Sequence, residues 1–347
     1  MMNGIFEQLY ALCNRDGVTN FEDDVREYIL SQAHSCADTV FCDSVGNVFV
    51  CKKGACEPKR PILVLTNMDE PGFMVKEITS DGYLHVVAID DYIDVRTVLG
   101  KKLWIGRNRV PGVVALKAIH LTPKSARGSI PDIDSLNVDI GAANREDAEK
   151  RVKCGDTAVP AYALTEMGDC LRGKGLTGRT GAAIALRLMQ DELPYDTWFV
   201  FIKKSVLSPH FGGALAARRI DPGFSILLNC HEANDMPNIP EEKRMVTLRG
   251  GAALALKGAS VCYNRQINRG LVTWAAERGI PTQYIQADRI RDAGQDLTAG
   301  ASGGEAIALS VPVRYVNSMS PVACKRDIEA VYLLAQQALR KAGEILG

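Results

Sequence analysis

Short apolar segments rich in β-branched residues alternate with amphipathic segments at both ends of this chain. The run Pro61–Leu65 predicts a buried parallel strand, and Trp198–Ile202 and Phe224–Leu228 predict two more. Strand–helix alternation of this kind is typical of an α/β domain, in which helices cover the faces of a sheet. The alternation therefore predicts that the two ends of the chain together form one α/β domain.

The middle of the chain has a different texture. Short runs of alternating apolar and polar residues are separated by Gly, Asp and Asn turns, a pattern that predicts a small β domain. The clearest runs are Leu84–Ile89, Lys102–Ile105 and Val110–Leu116. We therefore predict an α/β domain of residues 1–68 and 162–347, interrupted by an inserted β domain of residues 69–161.

Charge and cysteine content limit the classes of partner. The 347 residues include 41 basic and 41 acidic side chains, so bulk charge favours neither nucleic acid nor a membrane surface. Ten cysteines are scattered without a C-x-x-C pair, which is typical of reduced thiols. The first 14 residues carry Glu7 and lack the basic start of a signal peptide. No apolar run approaches the length of a membrane span, so we expect a soluble cytoplasmic protein.

A polar segment follows the first predicted parallel strand. It reads Thr66-Asn67-Met68-Asp69-Glu70, so an amide and two carboxylates stand directly after buried residues. In open α/β sheets, ligands bind beyond the carboxyl ends of the strands. The segment is therefore a candidate rim of a functional site.

Two short glycine motifs resemble known sites but lack the required context. Gly173–Gly178 matches a dinucleotide-binding pattern without a preceding strand, and we interpret it as the glycine-rich start of a helix near Arg179. Such a helix start can still bind an anion through its N–H groups. Gly300–Gly304 resembles a nucleophile elbow, but no histidine follows Ser302 in the chain.

A third motif, His231-Glu232-Ala-Asn-Asp235, resembles a damaged H-E-x-x-H metal site. The metalloprotease motif needs a helix, whereas this segment follows the predicted strand that ends at Leu228. We therefore interpret it as a loop of solvated polar residues at the end of a strand.

Five segments along the chain carry a family resemblance. They are Leu12–Glu22, Asp43–Val48, Asn67–Val75, Asp139–Asp156 and Val311–Ser318. In sequence and order they resemble the tetrahedral (TET) aminopeptidases, zinc metallopeptidases also described as glutamyl aminopeptidases and, historically, endoglucanases. The resemblance implies an αβα sandwich with a mixed central sheet and an inserted small, PDZ-like β-barrel used for dimerisation. It also implies a homo-oligomer, from a dimer up to a tetrahedral dodecamer.

The family reaction uses two zinc or cobalt ions and a glutamate base, which together activate a water and polarise the scissile carbonyl. The positions at which the resemblance implies ligands and the base carry neutral or basic residues in this chain. They are Asn67, Thr177, Lys203, Lys204, Asn229 and Asn317. A different alignment replaces the two lysines with Leu207-Ser208, which again supplies no acid. Asp69, the acid that would orient the missing histidine, is retained.

Asparagine and threonine are poor zinc ligands beside histidine, cysteine and carboxylate. We therefore expect a catalytically degenerate homologue that has no metal cofactor and no peptidase activity. Removal of the carboxylates leaves Gly178 and Arg179 at the glycine-rich helix start, with Lys203 and Lys204 near the strand ends. This combination predicts a cleft for an anionic small molecule or peptide. The alternative is that the lysines are simply solvated.

One rival hypothesis keeps a metal-dependent activity at a relocated site. Its candidate ligands are Asp69, His231, Glu232 and Asp235, together with Cys230 and Asp292, and most of these residues lie in or next to the family motifs. These side chains include ligand types that zinc accepts. The sequence alone leaves both hypotheses open.

Overall fold

The computed structural model describes residues 3–89, 93–203, 209–286, 293–316 and 318–347, with the backbone alone at residues 3, 126, 134, 209–211 and 286. The α-helices in these ranges are α1 (Asn3–Cys13), α2 (Asp23–Ala33), α3 (Arg145–Glu149), α4 (Leu176–Leu188), α5 (Pro209–Ile220), α6 (Arg265–Ala276), α7 (Gly294–Thr298) and α8 (Lys325–Leu346).

The strands in the same ranges are β1 (Thr39–Cys42), β2 (Val48–Lys52), β3 (Ile62–Asn67), β4 (Phe73–Ile78), β5 (Leu84–Ala88), β6 (Lys102–Ile105), β7 (Val110–Val114), β8 (Asn137–Asp139), β9 (Thr157–Pro160), β10 (Thr165–Met167), β11 (Cys170–Arg172), β12 (Thr197–Ile202), β13 (Phe224–Glu232), β14 (Ala252–Lys257), β15 (Thr282–Gln286), β16 (Glu305–Arg314) and β17 (Val322–Cys324).

The chain divides into two compact units. The larger unit consists of Met1–Glu70, Leu164–Val316 and Pro321–Gly347. The smaller unit consists of Pro71–Ala163 and Asn317–Ser320. Asp69 and Glu70 therefore belong to the larger unit, although the sequence analysis places residue 69 at the start of the inserted domain.

The larger unit contains a mixed sheet in the described part of the chain. Its order is β1-β2-β12-β3-β13-β16-β17-β11-β10, and β14 joins β16 to β15. The central strands β12, β3, β13 and β16 are parallel, whereas β2 and β17 pair antiparallel at either side. Parallel central strands are buried on both faces, which explains their nearly continuous apolar sequences.

Helices cover both faces of this sheet. Successive residues of a strand point to opposite faces, and β3 shows this directly. Ile62 and Val64 belong to a core that includes buried residues of α1, α2, α4, α6 and α8. Leu63 and Leu65 belong to a second core with buried residues of α5 and α7. The predicted αβα sandwich with a mixed central sheet is therefore confirmed.

The smaller unit is a closed antiparallel barrel, with strand order β4-β5-β8-β7-β6-β9. Alternate residues of each strand fill its interior, including Phe73, Val75, Leu103 and Ile105. Closure of the barrel removes the exposed sheet edges that a short open β domain would present. The predicted inserted β-barrel is confirmed.

Two local predictions were wrong. The strand that was expected to end at Leu228 continues to Glu232, because β16 runs parallel to it and supplies hydrogen-bonding partners along its whole length. His231 and Glu232 therefore lie in a strand, not in a loop. Asn20 precedes the acidic segment Glu22-Asp23-Asp24 and was expected from sequence to cap the helix there. It does not cap α2, because its φ is 74° and Glu22 is the N-cap residue of that helix.

None of the helices in the described ranges combines the length and the apolar character that crossing a membrane requires.

Candidate functional site

Three neighbouring parallel strands end at one edge of the sheet. The register pairs Ile202 of β12 with Asn67 of β3, and Thr66 of β3 with Leu228 of β13. Asn67 is the last residue of β3, Lys203 follows β12 directly, and Asn229 lies level with them in β13, which continues to Glu232. Lys204 and Asn317, the other two positions of the predicted set in strand-end segments, lie outside the described residues.

The chain turns directly beyond β3, and its two carboxylates are buried there. Asp69 and Glu70 are each only 1% exposed. Thr19 donates its hydroxyl hydrogen to Oδ2 of Asp69 over 2.9 Å. The backbone N–H of Gly17 donates to Oε1 of Glu70 over 3.0 Å. Both carboxylates are thus engaged by the segment between α1 and α2.

Glu70 is the centre of a buried charge cluster. Lys174 donates to its Oε1 over 2.8 Å, and Nη2 of Arg179 lies 3.4 Å from the same oxygen. Lys174 also donates to the carbonyl oxygen of Arg15 and lies 3.1 Å from Oδ1 of Asp16. Buried charges are stable only when they are paired and hydrogen-bonded. The cluster therefore ties α4 to β3 and to the loop after α1.

The start of α4 lies against the turn after β3. Gly175 adopts a left-handed conformation with φ 69° before Leu176, the first residue of the helix. A Cβ at Gly178 would lie 2.1 Å from the carbonyl oxygen of Asp69, so only glycine permits this approach. The helix begins three residues earlier than the expected start near Arg179, which places Arg179 inside the helix.

Arg179 is completely buried. Its Nη1 donates to the carbonyl oxygen of Leu12 over 2.8 Å, and its Nη2 donates to that of Gly17 over 3.3 Å. These two bonds and the ion pair to Glu70 connect α4 to α1, to the loop after α1 and to the turn after β3. The geometry thus gives Arg179 protein partners in place of the anionic ligand expected from the sequence.

Lys203 is also buried, at 9% exposure. Its Nζ lies 3.7 Å from Oε2 of Glu22, which is itself fully buried at the start of α2. Its backbone N–H donates to Oδ1 of Asn47 over 2.8 Å. Lys203 is therefore not solvated, and its charge has an internal carboxylate partner. Thr177, by contrast, is half-buried near the start of α4.

The residues of the rival metal site have separate surroundings. His231 and Glu232 pair with Pro312 and Val313 of β16. Burial lowers the pKa of His231. Cys230 donates its thiol hydrogen to the carbonyl oxygen of Leu176 over 3.7 Å, and burial raises its pKa to about 12. Asp292 lies outside the described residues.

Asp235 forms a two-bond ion pair with Arg314. The guanidinium donates Nε to Oδ1 over 2.6 Å and Nη2 to Oδ2 over 2.7 Å. The backbone N–H of Leu248 donates to Oδ2 over 3.0 Å. Burial alone would raise the pKa of Asp235, but these hydrogen bonds outweigh burial and lower it. Both oxygens of this carboxylate therefore have protein partners.

One cluster of metal-binding side-chain types appears within the described ranges, and it lies elsewhere. Donor atoms of Asp169, Cys170 and Cys324 all lie within 4.8 Å of one another. None of the four rival ligands Asp69, His231, Glu232 and Asp235 belongs to that cluster.

Sequence reasoning did not single out Glu22 and Lys174, and it gave Glu70 no role beyond its place in the candidate rim. Glu70 stands next to Asp69 in the same motif, and Lys174 stands inside the glycine-rich segment. Their positions in these motifs were a usable signal. The sequence did not reveal that their partners are buried, because the cluster joins segments more than 50 residues apart.

Known proteins resemble this chain in sequence over most of its length. A model of the M42 glutamyl aminopeptidase family matches residues 46–334. FrvX of Escherichia coli is 28% identical over 334 residues, which covers 94% of this chain and 93% of the relative. The lysyl aminopeptidase of Pyrococcus furiosus is 27% identical over 354 residues and 97% of each chain.

Solved structures agree at the level of the fold. The TET aminopeptidase of the marine sediment archaeon Thaumarchaeota archaeon SCGC AB-539-E09 superposes with a TM-score of 0.92 at 23% identity, over 99% of this chain and 98% of the other. The TET1 peptidase of Pyrococcus horikoshii gives 0.81 at 24% identity, over 96% and 98%. Since the family model spans most of the chain, this protein belongs to the M42 glutamyl aminopeptidase family.

Proposed function

We propose that this chain is a non-catalytic member of its aminopeptidase family, a protein that keeps the fold and lacks the dinuclear metal centre. The observation that carries the proposal is the composition of one sheet edge. Lys203, Asn67 and Asn229 lie level with one another on or directly after three adjacent parallel strands, where a two-metal hydrolase would present ligands. The side chains at those positions are two neutral amides and an ammonium group.

The chemistry of the donor set does not fit two zinc ions. Zinc binds thiolate, imidazole and carboxylate, and none of Asn67, Thr177 and Asn229 supplies such a group. The Lys203 ammonium places a positive charge at the same edge, and two bound zinc ions would add further positive charge there. The carboxylate of Glu70 already balances Lys174. We therefore derive no hydrolytic step for this chain.

The rival proposal of a relocated metal site has less support. Within the described residues, donor atoms of Asp69, His231, Glu232 and Asp235 do not form a group of three close enough to share one ion. An anion site at Gly178, Arg179, Lys203 and Lys204 stays a prediction from sequence. Internal carboxylates already pair with Arg179 and Lys203.

The proposed role is binding through self-assembly or assembly with an active paralogue. The P. horikoshii relative can assemble into a tetrahedron or a large octahedral shell. In this chain, large apolar residues of the barrel unit are about 60% exposed, namely Leu116, Ile119, Leu121 and Ile130. Exposed apolar groups of this kind often mark protein interfaces, which supports an oligomer. All ten cysteines are free, which supports a reducing, cytoplasmic compartment.

The test measures zinc and cobalt binding together with hydrolysis of a panel of aminoacyl substrates. The P. furiosus lysyl aminopeptidase serves as the active control. A matched second sample carries Cys170→Ser and Cys324→Ser, so that metal bound at those thiols is not counted as a dinuclear centre. The proposal expects no hydrolysis and no metal in the double variant. Hydrolysis that depends on added metal in both samples would overturn it.

A further inference from the structure

Two cysteines face each other across the neighbouring strands β11 and β17. The register of β11 and β17 pairs Cys170 with Cys324. The flanking bonds run from the N–H of Lys325 to the carbonyl of Asp169 and from the N–H of Gly173 to that of Pro321. Cys170 and Cys324 are therefore a non-hydrogen-bonded pair, the kind in which opposite side chains approach most closely.

Asp169 completes a three-ligand cluster with these thiols. Sγ of Cys170 lies 3.4 Å from Oδ1 of Asp169, and Sγ of Cys324 lies 3.8 Å from Oδ2. All three donor atoms lie within 4.8 Å of one another. A tetrahedral zinc ion with ordinary bond lengths would separate sulfur and oxygen ligands by about 3.6 Å and two sulfur ligands by about 3.8 Å. The observed sulfur–oxygen distances of 3.4 and 3.8 Å are close to the first value, and the donor atoms all lie within 4.8 Å of one another.

Arg249 supplies the charge that such a site requires. Two thiolates and one carboxylate around a divalent cation leave one negative charge. The guanidinium of Arg249 donates to both oxygens of Asp169, over 2.7 and 2.6 Å, and its Nη2 lies 3.5 Å from Sγ of Cys170. An arginine that holds a ligating carboxylate is a typical outer-shell partner, since such groups orient the ligands.

The position of Arg249 is itself fixed by the fold. Its backbone is left-handed, with φ 67°, and its N–H donates to Oδ2 of Asp327 over 2.7 Å. The N–H of Gly251 donates to the other oxygen of Asp327 over 2.8 Å. Asp327 lies in the first turn of α8, three residues after the end of β17. The loop that carries the guanidinium is thus anchored to the helix that follows Cys324.

The two cysteines of the cluster are buried, whereas Asp169 and Arg249 are partly exposed. Cys170 and Cys324 are 1% and 0% exposed and pack with Ala233, Leu248 and Val322. The side chains of Asp169 and Arg249 are about half exposed. An ion can therefore reach the carboxylate from solvent, whereas the thiolate side of the site is dry.

We propose that Asp169, Cys170 and Cys324 bind a thiophilic divalent cation of the zinc type, with Arg249 as the outer partner and water as the fourth ligand. Binding forms two metal–sulfur bonds and one metal–oxygen bond, and the two thiol protons pass to solvent. The ion fixes β11 to β17 at the start of α8. This site shares no residue with the strand edge, so it stands whether or not the chain hydrolyses peptides.

The test titrates Cd²⁺ and Zn²⁺ into reduced, chelator-treated full-length protein. We expect one Cd²⁺ per chain, with a cadmium–thiolate charge-transfer band, and loss of that band in both Cys170→Ser and Cys324→Ser. Cys262→Ser is the matched control, because this cysteine is exposed and lies outside the cluster. Asp169→Asn should weaken binding about 10- to 100-fold or more.

A second measurement uses the wild-type protein alone, in case a serine variant fails to fold. Binding of Zn²⁺ in weakly buffered solution should release two protons per ion, one from each thiol. Absence of a stoichiometric band together with absence of proton release would overturn the proposal. A band that persists in the Cys170→Ser/Cys324→Ser double variant, or a Cys170–Cys324 disulfide in the purified protein that yields no metal site on reduction, would also overturn it.

Discussion

Lys174 donates to Oε1 of Glu70 over 2.8 Å, and both side chains are almost fully buried. The same oxygen lies 3.4 Å from Nη2 of Arg179. One carboxylate therefore balances two buried cations at the turn after β3. Since each cation also binds a carbonyl of the loop after α1 or of α1 itself, the cluster joins three segments of the chain.

Glu70→Gln should lower the free energy of unfolding by about 3 to 5 kcal/mol, because it leaves buried cations without their main counter-charge. The measurement is urea denaturation at fixed protein concentration. Glu277→Gln is the matched control: Glu277 forms an exposed ion pair with Arg278, so its loss should change stability by about 0.5 kcal/mol or less. Equal effects of the two variants would contradict the cluster's role.

Lys203 and Glu22 should be energetically coupled. Lys203→Met leaves the buried Glu22 carboxylate without its cation, and Glu22→Gln leaves the buried ammonium without its anion. Each single variant should be destabilised, and the double variant should be less destabilised than the sum by about 0.5 to 3 kcal/mol. A double-mutant cycle in urea measures this coupling. Simple additivity would show that the 3.7 Å separation carries no interaction.

Gly178→Ala should destabilise the protein by about 1 to 3 kcal/mol or more, because the new Cβ would lie 2.1 Å from a backbone oxygen of Asp69. Gly270→Ala is the matched control within a helix. A Cβ there has no neighbour within 4 Å, so alanine should stabilise α6 by about 0.5 to 1 kcal/mol. Thermal unfolding of the two variants should therefore shift in opposite directions.

Asp327 should make stability depend on pH. Burial raises its pKa from 3.8 to about 6, although hydrogen bonds from the N–H groups of Arg249 and Gly251 oppose the shift. The folded protein then binds more protons than the unfolded chain between about pH 4 and pH 6, so this group's contribution to stability falls as pH rises through that window.

The measurement compares the wild type with Asp327→Asn by urea denaturation at several pH values. The wild type should gain stability relative to the variant on going from pH 7 to pH 4, by up to about 3 kcal/mol. A difference between the two proteins that stays constant over this range would contradict a raised pKa at Asp327.

Much of the fold could be predicted because its signals are local. Continuous apolar runs such as Pro61–Leu65 and Phe224–Leu228 do lie in parallel central strands. The extension of β13 to Glu232 could not be predicted, since it depends on β16, about 80 residues later in the chain. Tertiary pairing overrides local polarity in such a case.

The candidate site was predictable in position but not in its internal contacts. The family resemblance singles out Asn67, Lys203 and Asn229, and the strand register places them side by side at one edge of the sheet. The partners of Lys203 and Arg179 do not, because Glu22 and Glu70 come from distant segments and are buried only in the folded chain. Charge in a sequence indicates a possible interaction, whereas burial decides what that interaction is.

In the parallel strands β12, β3 and β13, residues that determine the fold are followed within a few positions by residues that determine the chemistry of the sheet edge. Positions up to Leu65 and Leu228 fill the cores on either face of the sheet and determine which fold the chain adopts. The next one or two positions, which include Asn67 and Asn229, determine what chemistry the edge of the sheet can perform. Substitutions at the second set can change that chemistry without altering the first, so similarity of fold within a family is a poor guide to activity.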